Sequence, residues 1–248
     1  MAGHSAWKNI KHKKAASDAK KGKLWSKCAR AIIVAAKNGG GNPESNLALK
    51  CAIDEARSAN LPKDTIEKAI KKGTGELGAE DYEAATYEGY GPGGVAMLIE
   101  ILTNNRNRSA SDIRLIMDKN GGKLGALGCV SYLFAPKGQM LVGKSATNED
   151  TLMSLALDAG AEDVVDAGDS WQILTAVPDY LRVRKALEDA KIPVEAGEIT
   201  KVPSTTVTLT GEAAEKIVKL IEVLEDNDDV QKVHANVDIS AEELARLG

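Results

Sequence analysis

The sequence predicts a multidomain protein of the α and α+β classes, with an N-terminal three-helix domain followed by two ferredoxin-like α+β domains, one inserted in the other. Three observations support this prediction. With 248 residues the chain is long enough for two or three domains. Apolar residues recur at helical spacing in the first third, whereas strand-like and helix-like segments alternate in the remainder. Apolar residues make up 43% of the chain and charged residues 27%, which is typical of a folded globular protein.

The first third of the chain predicts a lysine-rich arm at residues 1–16 and then three helices. Their approximate limits are Ser17–Lys37, Asn42–Ser58 and Leu61–Gly73. The glycines of residues 38–41 end the first helix, because glycine readily takes the left-handed conformation that closes a helix. Asn42-Pro43-Glu44 predicts the start of the second helix, as cap, first helical residue and an acid that matches the helix dipole. The glycine-bounded stretch Gly73–Gly78 is the predicted linker.

The rest of the chain predicts alternating strands and helices. The predicted strands are Ala84–Glu88, Val95–Thr103, Cys129–Phe134, Gln139–Val142, Asp163–Asp166, Trp171–Val177, Val194–Lys201, Thr205–Thr210 and Gln231–Asp238. The predicted helices are Ser109–Lys119, Asn148–Ala159, Asp179–Lys191, Glu212–Leu224 and a short one after the capping box at residues 240–243. From Gln139 to Lys201 the order is β-α-β-β-α-β, the ferredoxin-like unit. The flanking βαβ pieces, joined across it, give a second such unit.

This order predicts three domains with one nested in another. Residues 1–78 form the arm and the three-helix domain, and residues 79–136 together with 204–248 form a split α+β domain. Residues 137–203 form the inserted ferredoxin-like domain. Short connections on both sides of the insert agree with nesting, since connections between neighbouring elements are usually short. A tandem arrangement is the alternative.

Charge is distributed very unevenly along the chain. Residues 1–72 carry 16 Lys and Arg and 6 Asp and Glu, a net charge of +10, so the remainder carries −14 within the total of −4. Residues 1–30 alone contain nine basic residues and one acidic residue. A difference of this size indicates a polyanionic partner for the basic part.

The arm and the first helix are the first candidate nucleic-acid-binding site. The candidate residues there are His4, Trp7, Lys8, Lys11, His12, Lys13, Lys14, Lys20, Lys21, Lys23, Lys27 and Arg30. Cations of this density release condensed counterions when they neutralise phosphates, and Trp7 can stack on an unpaired base. The alternative is a solvated cationic face that maintains solubility. We favour nucleic-acid contact, because the charge is local and the rest of the chain is acidic. Trp25, next to Leu24, is instead predicted to pack on the helix.

The segment Gly89–Gly94 satisfies the spacing GxGxxG. A dinucleotide-binding turn needs these glycines to open a helix whose N-terminus meets the pyrophosphate. Here the apolar run 95–99 follows, which predicts a buried strand. The segment is therefore predicted to be a glycine-rich loop between two strands, one that could approach an RNA backbone closely.

Arg106 and Arg108 form the second candidate site, in the polar segment Thr103–Ser109 between a strand and a helix. Arginines at a helix N-terminus favour anion binding, because the free backbone N–H groups and the helix dipole attract negative charge. The alternative is local: Asn107 or Ser109 caps the helix, and the arginines pair with Asp112 or other acidic neighbours. Both interpretations stay open.

Nothing in the sequence predicts catalysis, a cofactor or a bound metal. Two of the three histidines lie in the arm, His234 lies in a predicted strand, and no Ser/His/Asp or Cys/His grouping has supporting context. Cys28, Cys51 and Cys129 are far apart and fit no zinc spacing, so we expect small, half-buried residues in a reducing compartment. The acidic runs within Glu225–Asp229 lie in a predicted helix-to-strand turn and favour a solvated surface.

Location and partners follow from the same composition. No run approaches the roughly 18 apolar residues of a membrane span, and the N-terminus lacks the apolar core of a signal peptide. We therefore expect a cytoplasmic protein whose partner is nucleic acid, either DNA or ribosomal RNA, with the ribosome a further candidate. No membrane partner and no small-molecule substrate are expected.

Several motifs, taken together and in order, resemble those of the YebC/PmpR family over essentially the whole chain. They are Ala2-Gly3-His4-Ser5, Trp7, Asn9-Ile10-Lys11-His12, Asp18-Ala19-Lys20, Pro62-Lys63-Asp64, Tyr87-Glu88-Gly89-Tyr90-Gly91-Pro92-Gly93-Gly94 and Asn104-Asn105-Arg106-Asn107-Arg108. The chain departs from the family pattern at Ala6, at Trp25 and at Leu47-Ala48, and the last change removes a cation from the second helix.

The resemblance implies a fold and two possible functions. It implies an N-terminal helical domain and two α+β domains, one of them inserted. Family members are generally regarded as probable DNA-binding transcriptional regulators, whereas a mitochondrial relative activates translation and bacterial relatives are also viewed as ribosome-associated factors that relieve stalled elongation. The resemblance supports a non-enzymatic role in either case.

The residues themselves separate these two functions only modestly. A DNA reader needs Arg, Asn or Gln at base edges in the major groove, and the third helix offers mostly lysines, which suit phosphates. A lysine-rich arm with Trp7, a glycine loop and an Asn-Arg cluster suit irregular RNA recognised by shape and stacking. An adaptor role in protein interaction, built on the acidic α+β domains, is a third and weaker possibility.

Overall fold

The computed structural model describes residues 18–78 and 81–247 and confirms the α and α+β fold class. Its helices are α1 (Asp18–Gly39), α2 (Leu47–Ser58), α3 (Lys63–Gly73), α4 (Arg106–Lys119), α5 (Glu149–Asp158), α6 (Tyr180–Asp189), α7 (Gly211–Asp226) and α8 (Ala241–Leu247). Its strands are β1 (Glu83–Tyr90), β2 (Ala96–Thr103), β3 (Lys123–Leu124), β4 (Phe134–Gly143), β5 (Ala161–Asp166), β6 (Ser170–Thr175), β7 (Ala196–Pro203), β8 (Val207–Thr208), β9 (Val230–Ala235) and β10 (Val237–Asp238). Short 3₁₀ turns occupy Pro92–Gly94, Ser131–Leu133 and Val177–Asp179.

Helices α1, α2 and α3 pack around one apolar core. Ile32 of α1, Leu49 and Ala56 of α2 and Ala69 of α3 are almost completely buried in it. Trp25 packs against this core, and its indole Nε1 donates a hydrogen bond of 2.9 Å to the Ala59 carbonyl. The prediction that Trp25 is a packing residue is therefore confirmed.

The second helix begins at Leu47, so the start predicted at Asn42 is wrong. The Asn42 Oδ1 accepts a hydrogen bond of 3.0 Å from the Glu44 amide, which closes a turn ahead of the helix. The cap is Asn46, whose Oδ1 accepts from the Leu49 amide at 3.1 Å. Its Nδ2 also donates to two carbonyls at the end of α1, each at 2.8 Å. The helix is capped by Asn46 and not by Asn42 because the Asn46 side-chain amide bonds to both helices. Local sequence does not show this link.

The sheet formed by β4 to β7 has the ferredoxin-like arrangement. Its strand order is β5-β6-β4-β7, and all neighbouring strands are antiparallel. Helices α5 and α6 supply Leu152, Val183 and Leu187 to its core, which also contains Met140 and Ile173. Connections β4-α5-β5 and β6-α6-β7 therefore follow the split βαβ pattern that the sequence predicts.

The other large sheet departs from the strand composition that the sequence predicts. Its order is β3-β1-β2-β9, so the segment Thr205–Thr210, predicted as a strand of the second ferredoxin-like unit, is not part of it. That segment instead contributes β8 to a small parallel pair with β10. The predicted strand Cys129–Phe134 is a loop with a 3₁₀ turn, because backbone amides of the loop bond to the Glu88 carboxylate instead of to a neighbouring strand. Of the predicted loop Gly89–Gly94, residues 91–94 do connect β1 and β2, whereas Gly89 and Tyr90 belong to β1 and pair with Met97 and Ala96.

The chain order of these sheets supports the nested domain arrangement. Strands of the outer sheet come from residues 83–124 and again from 230–235, and the ferredoxin-like sheet lies between them in sequence. The chain enters and leaves that sheet side by side, since Phe134 pairs with Pro203. We propose domains with the predicted limits 1–78, 79–136 plus 204–248, and 137–203. Strand β4 begins at Phe134, three residues before the predicted start of the inserted domain.

Ion pairs connect the helical unit to both sheets. Asp54 of α2 accepts a hydrogen bond of 2.6 Å from Arg184 of α6. Lys232 of β9 lies 2.7 Å from Glu198 of β7 and 3.7 Å from Glu55 of α2. The three units therefore meet at α2. No helix in the described residues is long and apolar enough to cross a membrane.

Candidate nucleic-acid interface

The predicted arm lies outside the residues that the structure describes. This applies to seven candidate residues: His4, Trp7, Lys8, Lys11, His12, Lys13 and Lys14. Lys20 belongs to α1, but its side chain is likewise outside the described part of the chain. The remaining candidates, Lys21, Lys23, Lys27, Arg30, Arg106 and Arg108, all lie in described helices.

Helix α1 directs three of its cations at the C-terminal end of α7 and at the acidic turn after it. Lys23 Nζ lies 2.9 Å from the Asp226 carboxylate and donates to the Asp226 carbonyl at 3.2 Å. Lys27 Nζ donates to the Glu225 carbonyl oxygen. The hydrogen bond with Asp226 also raises the pKa of Lys23, although desolvation opposes this shift. Cations at the C-terminus of a helix are favourable, because the helix dipole is negative there.

Arg30 continues this contact one turn further along α1. Its Nη1 donates to the Asp228 carbonyl oxygen and lies 3.3 Å from Asp229 Oδ1. The guanidinium also lies over the Tyr82 ring, 5.4 Å from its centroid, which is within the range of a cation–π interaction. Arg30 thus joins the helical unit to the first strand region and to the acidic turn at the same time.

Asp229 is the centre of this region and is only 7% exposed. Its Oδ2 accepts hydrogen bonds from Arg108 Nη2 at 2.9 Å, from Ser109 Oγ at 2.7 Å and from Thr103 Oγ1 at 3.2 Å. Burial by itself would raise the pKa of Asp229, but the hydrogen bonds from Arg108, Ser109 and Thr103 outweigh it and lower the pKa below its usual value. Asp229 is therefore a buried carboxylate that holds two arginines from separate elements.

The Asn-Arg segment caps α4 in a way that the sequence did not predict. The cap is Asn105, not Asn107 or Ser109, since Asn105 Oδ1 accepts from the Arg108 amide at 3.1 Å. Arg106 is 62% exposed and lies 3.9 Å from Glu83. Arg108 pairs with Asp229 and not with the predicted Asp112, yet half of its side chain remains exposed. Part of each guanidinium can therefore still meet a phosphate from solvent.

Arg30 and Arg108, predicted in separate sites, line one polar cleft of about 320 Å³. Its remaining lining residues are Tyr82, Asn104, Asp112, Asn227, Asp228 and Asp229. Amides and guanidinium groups there can donate hydrogen bonds to an anion, whereas the three carboxylates oppose one. The cleft suits mixed polar contact at the edge of a larger interface better than tight enclosure of a phosphate.

Sequence reasoning missed Asp229 and Tyr82. The prediction of a solvated acidic turn is wrong for Asp229, which is buried, whereas Asp226 is exposed as predicted and pairs with Lys23. These partners are about 200 residues apart in the chain, so no local pattern shows the pairing. The charge asymmetry itself was a usable indication, because an acidic turn and a basic helix of one chain attract each other.

Helix α3 presents a second cationic surface. Lys63, Lys68 and Lys71 are exposed, and Lys63 lies 3.8 Å from Glu67 on the same helix. The helix sequence contains no Arg, Asn or Gln. Its cations can therefore neutralise phosphates, but they offer no bidentate contact to base edges.

Comparison with known proteins gives consistent matches along the whole chain. A family model described as "TACO1/YebC protein N-terminal domain" matches residues 5–76, and one described as "TACO1/YebC second and third domain" matches residues 82–237. Relatives named "Probable transcriptional regulatory protein" from Dictyoglomus turgidum and Rubrobacter xylanophilus are both 52% identical, over 248 and 249 residues. The alignments cover 100% of this chain, with 100% and 99% of the respective relatives.

A solved structure agrees with these matches. The crystal structure of a conserved hypothetical protein from Aquifex aeolicus is 47% identical to this chain and superimposes with a TM-score of 0.84. The match covers 93% of this chain and 96% of that one. The resemblance inferred from the motifs is thereby confirmed, and the chain belongs to the TACO1/YebC family.

Proposed function

We propose that this protein is a non-enzymatic, nucleic-acid-binding regulator of gene expression, similar to DNA-binding transcriptional regulators. The observation that carries the proposal is the charge of +10 on residues 1–72 of a chain whose remainder carries −14. The names of its relatives, probable transcriptional regulatory proteins, support the same role.

The proposed contacts are mostly to phosphates. Part of the charge on α1 is balanced by the acidic turn, so the arm of residues 1–16 and the exposed lysines of α3 supply the larger share of the attraction. Arg106, with most of its side chain in solvent, adds a contact from the outer sheet. Each phosphate neutralised by such a cation releases counterions, and binding therefore weakens as salt increases.

The state of the cysteines supports a non-enzymatic role. Burial raises the pKa of the Cys28 thiol to about 12 and that of Cys51 to about 11, so both stay protonated and are poor nucleophiles near neutral pH. In the described parts of the chain, no group of His, Cys, Asp or Glu side chains could hold a metal ion. The proposal includes a cytoplasmic location, no cofactor and no small-molecule substrate, as the composition and motifs of the sequence predict.

A second candidate function is that of an RNA- or ribosome-associated translation factor. The observation that favours it is the composition of α3, whose exposed cations are lysines without any base-reading side chain. A protein that contacts phosphates without contacting base edges can bind a structured ribosomal RNA as well as duplex DNA.

A salt titration with matched variants tests the proposal. The full chain is titrated onto duplex DNA and onto RNA, and the triple variant Lys8→Ala/Lys11→Ala/Lys13→Ala is compared with the control Lys185→Ala/Lys216→Ala/Lys219→Ala, which removes three exposed lysines from the acidic part. The arm variant should bind more weakly and should reduce the slope of log affinity against log salt by about 0.7–0.9 per lost contact. Equal changes in affinity and salt slope for the two triple variants would contradict the proposed function.

Sedimentation of cell extract separates the two candidates. A translation factor should sediment with ribosomes and should leave those fractions after RNase treatment. A transcriptional regulator should be absent from them and should protect specific promoter sites from cleavage.

A further inference from the structure

Two glycine-rich loops meet at the end of the outer sheet that lies away from the polar cleft. One is the β1–β2 connection around Pro92. The other is the segment Lys119–Phe134, which runs from the end of α4 through the two-residue strand β3 to the start of β4 and is called here the Tyr132 loop. They are neighbours, because a Cβ placed on Gly121 would lie 3.6 Å from the Pro92 ring. Five residues of β1 separate Glu88, which the Tyr132 loop contacts, from Glu83 beside Arg106, so these two contact points lie about 17 Å apart.

The buried carboxylate of Glu88 holds the Tyr132 loop in one conformation. Its oxygens accept hydrogen bonds from the amides of Gly128, Val130 and Ser131, each at 2.8 Å. Burial alone would raise the pKa of Glu88, but these backbone hydrogen bonds outweigh it and lower the pKa. Gly128 has a φ of +87°, a conformation that favours glycine.

Buried apolar side chains hold the loop on both sides of its 3₁₀ turn Ser131–Leu133. Val130 and Phe134 are buried with Leu98 in a small core of their own. The Tyr90 Oη donates to the Cys129 carbonyl at 3.1 Å, which ties the loop to the end of β1. The loop is therefore a rigid platform built from internal contacts.

This rigid platform exposes the two most solvent-accessible large apolar side chains of residues 18–78 and 81–247. Leu127 is 86% exposed and Tyr132 is 74% exposed. Single exposed apolar residues are common, but two of them on one clamped loop form a surface without an intramolecular use. Covering these side chains with another molecule would remove apolar surface from water, which is favourable.

The charge around the platform is positive. The segment Lys119–Phe134 contains two exposed lysines, Lys119 and Lys123, and no acidic residue, and the exposed Asp118 directly precedes it. The carboxylate that contacts the loop, Glu88, is buried and accepts hydrogen bonds from backbone amides. An exposed aromatic ring on a segment that also carries lysines and glycines is the combination that stacks bases and lets phosphates approach.

We propose that the Tyr132 loop stacks an unpaired base of single-stranded nucleic acid on the Tyr132 ring, with Leu127 beside it and Lys119 and Lys123 facing the adjacent phosphates. This inference rests on the proposed function and adds a second contact region, remote from α1, that selects unpaired over duplex strands. A folded protein partner is less favoured, because the exposed apolar surface is small and is bordered by lysines and not by a wide apolar rim.

Fluorescence anisotropy with the full chain tests this site. The probes are labelled oligouridylate and oligothymidylate of about 12 nucleotides, within the usual site size of single-strand-binding folds, and a duplex of the same length. Tyr132→Ala should weaken single-strand binding about 5- to 150-fold, the loss of one base stack, without changing the salt slope. Tyr132→Phe should bind like the unmodified protein, and neither variant should alter duplex binding.

Matched leucines provide the control. Leu127→Ala should weaken single-strand binding, whereas Leu115→Ala, at another exposed leucine on α4, should not. Equal single-strand affinity of Tyr132→Ala and the unmodified protein would overturn the inference, and the effect of the arm triple would still decide the proposed function separately. Stronger loss on the RNA than on the DNA probe supports the inference and identifies RNA as the strand. If sedimentation shows a dimer that Tyr132→Ala converts to a monomer, the loop joins two copies of this chain and the inference falls.

Discussion

Asp229 illustrates how one carboxylate can organise the contact between a basic helix and an acidic remainder. It receives Arg30 from α1 and Arg108 from α4, and it is buried between them. Because a buried carboxylate without partners is costly, each arginine stabilises a charge that the fold has already removed from water. The sequence predicts both arginines as phosphate contacts, and in the structure both also pair with the buried Asp229.

Replacing Asp229 by Asn should therefore destabilise the protein. The change removes the charge that both arginines contact and should lower the free energy of unfolding by about 1.5–3 kcal/mol, the range for hydrogen bonds to charged groups. Urea unfolding at neutral pH measures this loss. The neighbouring Asp228 has an exposed side chain, so Asp228→Asn should change little. Equal stabilities of the two variants would show that the buried carboxylate contributes nothing.

Glu100 gives the protein a defined acid sensitivity. Burial would raise its pKa, but the His234 imidazole at 3.3 Å and the Lys201 ammonium at 2.8 Å lower it from 4.5 to about 2. A carboxyl whose pKa is lowered on folding stabilises the native state above its unfolded pKa, and that contribution is lost as pH falls through the folded pKa. The loss should therefore occur between about pH 4.5 and pH 2.

The variant Glu100→Gln measures this contribution. At pH 7 it should be less stable by about 2 kcal/mol, a value reduced from the full pKa shift because the carboxylate is partly exposed. At pH 2 the two proteins should unfold at the same urea concentration, apart from any effect of the amide itself. Glu222→Gln, at an exposed position on α7, serves as control. A stability difference that stays constant from pH 7 to pH 2 would refute the assigned cause.

At the scale of elements, local sequence predicted helices and hairpins well where a single residue type decides the backbone. The glycines after β1 indicate a turn, and a turn is present. The start of α2 and the segment Cys129–Phe134 were mispredicted, because Asn46 bonds to α1 and the loop amides bond to Glu88. Both errors come from hydrogen bonds to residues 6 to 43 positions away, which local patterns do not record.

The clamp by Glu88 makes a prediction about loop dynamics. Glu88→Ala removes the acceptor for three amides, so hydrogen exchange at Gly128, Val130 and Ser131 should accelerate at least about tenfold. Exchange measured by NMR or mass spectrometry reports this directly. Glu83→Ala on the same strand, at an exposed position, should leave these amides protected. Unchanged protection in Glu88→Ala would mean that the apolar anchors alone hold the loop.

At the scale of the whole molecule, the sequence predicted the nested order of units but not their contacts. The order follows from alternating patterns along the chain, whereas the contacts depend on charges that are far apart in sequence. Arg184 and Asp54 are separated by 130 residues, and their pairing fixes the inserted sheet against α2. For the candidate interface, the cations were identifiable by composition, but their acidic partners were not.

Lys232 should determine whether these units unfold together. It contacts Glu198 of the ferredoxin-like sheet and Glu55 of α2 from a strand of the outer sheet, so one cation joins all three units. The two carboxylates raise its pKa and outweigh desolvation, which would lower it. Lys232→Ala leaves both carboxylates facing each other without a cation, and this repulsion acts between units and not within any one of them. The variant should therefore be less stable, and its three units should no longer unfold in one cooperative transition. Calorimetry should show a van't Hoff enthalpy below the calorimetric enthalpy, or two resolved transitions. Lys219→Ala, an exposed lysine of α7, should keep the transition of the unmodified protein. A single, equally sharp transition in Lys232→Ala would place the coupling instead in the apolar packing of Leu47 and Cys51 against the ferredoxin-like core.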